Sequence, residues 1–218
     1  MNTNKLVVAA ALTALTGLAQ ALPITGLVNT GAGLSAGDQD TNYVLTVAGT
    51  SAALLGSAPT YGYVVTDVHP SWIPPSASAD SQWLTPLASG QDTFDPAGGG
   101  DGVYTWTLTF DIDQYFSAAY LEGRWTSDNY GLVYLNGTLL DQSDGYYQWD
   151  TFSAGTDLFV AGTNTLKFVV TNFQQTELNP TGVRVEFTAS AVPEPESYAL
   201  LLGGLGVLGA ISRRRQTK

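Results

Sequence analysis

Residues 103–113 alternate without a break. Tyr104, Trp106, Leu108, Phe110 and Ile112 fall on one face, and Thr105, Thr107, Thr109, Asp111 and Asp113 on the other. A period of two with bulky apolar residues on one side is the mark of a half-buried strand whose outer face meets water. A helix places neighbours on one face every three to four residues and does not produce this pattern.

The same signature recurs along the chain in shorter runs. Tyr43 to Val47 and Tyr61 to Val65 are rich in aromatic and β-branched residues, which favour strands. Leu121, Gly123 and Trp125 share a face, as do Leu166, Phe168 and Val170, and Val183, Val185, Phe187 and Ala189. The segment Val183 to Ser190 is expected to pair centrally. In residues 131–140, Asn136-Gly137 separates two apolar runs. That dipeptide predicts a two-residue hairpin, because a type I′ turn needs positive φ twice. Many short strands with turn residues between them predict an all-β, antiparallel β-sandwich or barrel. Residues 70–102 differ, being rich in Pro, Ser, Gly and Asp with Trp72 and Trp83 embedded. They read as long loops over one end of the sandwich, with room for one short strand.

Both ends of the chain carry targeting patterns. At the N-terminus, Lys5 precedes an apolar run from Leu6 to Leu18, and Ala19-Gln20-Ala21 follows. This is a signal peptide over residues 1–21, with Ala19 and Ala21 defining the cleavage site and Leu22 the mature start. At the C-terminus, Pro193-Glu194-Pro195 precedes an uncharged run from Ser197 to Ser212, and Arg213-Arg214-Arg215 ends it. An apolar helix stopped by arginines is a membrane segment whose basic end stays cytoplasmic. Its 16 residues fall short of the roughly 20 that span a bilayer, a gap that snorkelling and local thinning can close. Two prolines should keep the Pro-Glu-Pro segment out of helix and strand pairing. It would then be an extended, accessible peptide. The domain expected between these signals covers residues 22–192, with the sorting tail at 193–218.

Composition narrows the function of that domain. The chain has no cysteine, which excludes disulfides, thiolate metal sites and a cysteine nucleophile. Within residues 22–192 the basic residues are Arg124, Lys167 and Arg184 against 17 acids, a balance of 3 − 17 = −14. Phosphate binding requires basic patches, so nucleic acid is not an expected partner.

The tail resembles the PEP-CTERM sorting signal of Gram-negative bacteria, in the order Pro193-Glu194-Pro195, apolar helix, Arg213-Arg214-Arg215. The resemblance implies export through the secretion translocase and a transient membrane anchor. It further implies processing by an exosortase and delivery to the cell surface or extracellular polysaccharide. A second resemblance lies in the domain. Leu121 to Trp125, Asp128-Asn129, Val133 to Gly137 and Gly162 to Leu166 are similar in order and spacing to a galactose-binding-type jelly roll. That implies a binding module of the kind attached to glycosidases.

The candidate sites follow from residue chemistry. Flat aromatic faces stack on sugar rings, so Trp72, Trp83, Tyr146, Tyr147 and Trp149 are the candidate glycan contacts, with Asp144, Gln148 and Asp150 as hydrogen-bond partners. Packing of these rings under the loops is the competing reading. Asp92, Asp95 and Asp101 flank Gly98-Gly99-Gly100, and Asp38 and Asp40 form a second acidic pair. Oxygen-rich flexible loops of this type suit a structural calcium ion. His69 is the only histidine and sits in a loop, which leaves little basis for a catalytic triad or a zinc site. Asp111, Asp113, Glu122 and Asp128 could supply a carboxylate pair for glycoside hydrolysis, but acids alternating with threonine also describe a solvated sheet face. The expectation is an exported, non-enzymatic protein that binds or embeds in polysaccharide. The alternatives are a structural or adhesive matrix protein and a secreted glycan hydrolase.

Overall fold

The computed structural model describes residues 21–22, 24–49, 60–75, 81–90, 99–113, 116, 118–175, 179–193 and 202–208. Among these lie eleven strands: β1 (Ala21–Leu22), β2 (Gln39–Gly49), β3 (Thr60–Val64), β4 (Leu84–Thr85), β5 (Gly102–Ile112), β6 (Tyr120–Asp128), β7 (Tyr130–Leu135), β8 (Thr138–Ser143), β9 (Asp150–Ala154), β10 (Gly162–Asn172) and β11 (Gly182–Pro193). The long alternating segment is β5, and its five apolar residues are all buried.

Ten strands form one continuous ladder in the order β8-β7-β10-β5-β2-β3-β4-β11-β6-β9, and β1 adds to β11. Pairing is antiparallel at every step, and most neighbours in the ladder are distant in sequence; only β7 and β8 are joined by a two-residue turn. The ladder curls until its halves face each other. Phe168 of β10 meets Trp125 of β6 at 5.6 Å and Phe152 of β9 at 6.0 Å between ring centroids. The two ends also approach, and Trp125 Nε1 donates to Asp141 Oδ2 of β8 at 2.9 Å. The result is a nearly closed all-β sandwich, with β11 internal between β4 and β6 as expected.

The hairpin forms where the sequence places it. Asn136 and Gly137 have φ of 50° and 87° and join β7 to β8. Asn136 does more than turn the chain. Its Nδ2 donates to Leu158 O and Asn164 Oδ1, and its Oδ1 accepts from Thr165 N.

The Pro-Glu-Pro segment needs one correction. Pro193 is strand-paired, closing β11 opposite Ala21, with Val192 opposite Leu22. A proline is tolerated there because the strand ends and no further ladder donor is required. The expected signal cleavage point, between Ala21 and Leu22, therefore falls inside β1. Residues 1–20, including Ala19, and residues 194–201 and 209–218, including Glu194, Pro195 and the arginines, lie outside the described residues. Of the expected membrane helix at 197–212, residues 202–208 are helical (α1). Among the described residues no helix is long and apolar enough to cross a membrane.

Candidate functional site

The loop before β4 packs on the outer face of β11 and the end of β6 and forms a second small core of Val65, Trp72 and Trp83. Trp72 and Trp83 stack with centroids 4.3 Å apart. Gly182 makes room for them, since a Cβ there would lie 3.0 Å from Trp72 Cη2 and 2.9 Å from Leu84 O. Buried indole N–H groups need acceptors. Trp83 Nε1 finds Ile73 O at 2.9 Å, and Trp72 Nε1 finds Asp128 Oδ2 at 2.6 Å. Asp128 is 3% exposed, and burial pushes its carboxyl up to about 7 against the pull of the Trp72 hydrogen bond.

Beside this core the same sheet face carries an ionic cluster. Arg124 projects from β6, and Arg184 and Glu186 from β11, with Glu186 directly opposite Arg124 in the register. Arg124 Nε donates to Glu186 Oε2 at 2.6 Å, and Nη2 lies 2.5 Å from the same oxygen as an ion pair. Arg184 Nη2 reaches Glu186 Oε1 at 3.4 Å, and Ser81 Oγ donates to the same oxygen at 2.6 Å. Arg184 spends its remaining donors inward, on Ser81 Oγ, Ile73 O and Pro74 O. Burial draws the Arg184 guanidinium below its ordinary pKa, partly offset by Glu186. Burial alone would raise the Glu186 carboxyl, but Ser81, Arg124 and Arg184 together hold it below the usual range.

Trp149 packs against both cations. The guanidinium carbons of Arg124 and Arg184 lie 4.5 and 5.0 Å from its ring centroid, within cation–π range. The preceding residues continue the patch. Tyr146 is half-buried against the Trp72–Trp83 core, and its carbonyl accepts from Ile73 N at 2.9 Å. Tyr147 lies edge-on to Tyr146 and is 64% exposed.

The structure thus brings all five candidate aromatics to one side of the sheet, but it divides them. Trp72 and Trp83, at 2% and 1% exposure, are interior and offer no ring to a ligand. Tyr147 is open, and Trp149 is half-buried against the arginines. Asp144 and Gln148 are exposed, whereas Asp150 Oδ2 is buried without a hydrogen-bond partner. Arg124, Arg184, Glu186 and Ser81 escaped the sequence reading. Alternation reports that Arg184 and Glu186 point away from the core, but not that a loop 103 residues earlier returns to cover them.

Asp92 and Asp95 lie outside the described residues, and Asp101 Oδ1 accepts from Gln174 N at 3.0 Å. Asp40 caps its own loop through Gly31 N and Asn42 N, and Asp38 accepts from Ser35 N. Among the described residues no three metal-ligating side chains group together. Asp111 Oδ1 accepts from Thr163 Oγ1, whereas Asp128 is buried. His69 accepts from Ser71 N, a local turn contact.

Comparison with known proteins identifies the tail. Residues 191–216 match the PEP-CTERM protein-sorting motif. That motif marks the chain as an exported protein with a C-terminal sorting signal. No curated protein matches the chain. Among solved structures it is similar to a β-glucosidase from Kluyveromyces marxianus, at 13% identity over 81% of this chain and 21% of that one, with a TM-score of 0.37. A β-D-mannosidase from Dictyoglomus thermophilum is 24% identical over 32% of this chain and 9% of that one, with a TM-score of 0.26. A PA14 sugar-binding domain from an RTX adhesin is 14% identical over 43% of this chain and 51% of that one, with a TM-score of 0.25. In each case this chain spans about half or less of the other's length, and scores this low do not establish a shared fold.

Proposed function

We propose that this is a surface-sorted, non-enzymatic protein that binds envelope or extracellular polysaccharide. In this reading an exosortase processes the tail, and the sandwich is what remains outside the cell. The carrying observation is the patch of Tyr147, Trp149 and Arg124. It joins an exposed ring and a half-buried indole on the loop between β8 and β9 to a partly exposed arginine on β6. Rigid scaffolds that present aromatic and hydrogen-bonding groups together suit sugar rings, which have apolar faces and polar rims. The resemblance of residues 121–166 to a galactose-binding-type jelly roll supports the same reading.

Retention of the full chain on polysaccharide prepared from the producing cells tests the proposal. Trp149→Ala should release the protein while its far-UV spectrum stays native. Retention equal to wild type would move a structural matrix role ahead. Replacing Pro193, Glu194 and Pro195 by alanine tests the sorting step. The variant should accumulate as a membrane-bound precursor, and unchanged surface release would reject processing at this motif.

A further inference from the structure

The domain is short of positive charge, yet it places two of its three basic residues on one carboxylate. Residues 22–192 carry −14, from 3 − 17, and both ion pairs among the described residues end on Glu186. The cluster of Arg124, Arg184 and Glu186 therefore holds one positive charge in excess. Charges withdrawn from water normally occur with matching partners. Here Arg184, at 1% side-chain exposure, has its guanidinium committed to Glu186, Ser81 and two carbonyls. The excess must be expressed at Arg124, whose side chain is 40% exposed.

Arg124 is also held in place. Its Nε and Nη2 are tied to Glu186, and its guanidinium carbon lies 4.5 Å from the Trp149 ring centroid. Nη1 is the edge left over, and it has no partner among the described residues. A pre-organised guanidinium loses little side-chain entropy on binding and favours planar anions, carboxylates above all. The neighbouring acids, Glu122 two residues earlier on the same strand face and Asp144 on the loop, are exposed and make no ion pair with it.

We propose that this patch selects acidic polysaccharide, with Arg124 receiving the carboxylate of a uronic acid residue. The proposal rests on the polysaccharide-binding reading and narrows it. Tyr147, two residues before Trp149 and 64% exposed, supplies the flat face for the sugar ring. At physiological salt the Debye length is about 8 Å. A bound carboxylate then senses Arg124 and is largely screened from the distant acids of the domain.

The test uses the full chain in detergent, titrated at physiological salt with polygalacturonate, dextran sulfate or neutral dextran, and followed by tryptophan fluorescence. Polygalacturonate should bind and dextran should not. Arg124→Gln should weaken binding about tenfold, the scale of one charge-assisted hydrogen bond. Arg124→Lys keeps the charge but not the planar fork, so it should also weaken binding. It serves as the test if the glutamine variant does not fold. Wild-type affinity in a folded Arg124 variant would overturn the assignment. Equal binding of dextran and polygalacturonate would leave a glycan-binding protein without acid selectivity. Binding of dextran sulfate alone would replace the carboxylate by a sulfate ester and reject the uronic acid. Binding of none of the three would remove the polysaccharide reading and this proposal together.

Discussion

The Trp72 indole N–H donates to Asp128 Oδ2 at 2.6 Å, and both residues are almost wholly buried. One hydrogen bond thus ties the loop before β4 to the end of β6. It also leaves a carboxyl group where water does not solvate its charge.

That burial has a pH signature. Asp128 is pushed up to about 7 in the fold, against about 3.9 in an unfolded chain. The folded state then holds the proton more tightly. Its stabilising contribution is complete below about pH 4 and is lost as pH rises through about 7. Urea denaturation should show falling stability over that window. Asp128→Asn should flatten the fall, and an unchanged slope in that variant would remove Asp128 as its source.

Glu186 acts in the opposite direction. Its pKa is depressed by Ser81, Arg124 and Arg184 against the cost of burial. Its contribution is present above the ordinary carboxylate range and is lost as pH falls below it. Glu186→Ala would leave buried Arg184 without its counter-charge, at a cost of about 3–5 kcal/mol. A melting temperature within a degree or two of wild type would refute the view that this carboxylate neutralises the cluster.

The Asn136-Gly137 turn separates backbone strain from packing. Gly137 has a φ of 87° and open space where a Cβ would stand. Gly137→Val should therefore cost about 1–3 kcal/mol through the backbone alone. Denaturation midpoints of Gly137→Val and Gly137→Asn distinguish the causes, because asparagine tolerates this region. Asparagine should recover most of the loss.

Gly182 offers the converse test. Its φ is ordinary, but a Cβ would press on Leu84 O and the Trp72 ring. Gly182→Ala should destabilise by about 1–3 kcal/mol through overpacking. It should also displace the Trp72–Trp83 stack, visible as a changed near-ultraviolet circular dichroism spectrum. An unaltered spectrum and stability would mean that the loop does not lean on β11.

The strands, the hairpin and the C-terminal sorting motif were legible because each is a local pattern. Period two in residues 103–113 requires only that one side of a strand be buried, and Asn136-Gly137 requires only its own backbone. The sorting motif is a linear string and is read as one. What lies on the outer face of a strand is a different kind of fact. Trp72 and Trp83 stand in a Pro-, Ser- and Gly-rich stretch that reads as loop over one end of the sandwich, and they are interior because that loop folds back on β11. Arg184 alternates outward with Glu186, yet it is buried because Ser81, Ile73 and Pro74 close over it. Only the tertiary structure decided which outward residues meet water. The contacts that decide it join residues up to 111 positions apart, and no local period records them.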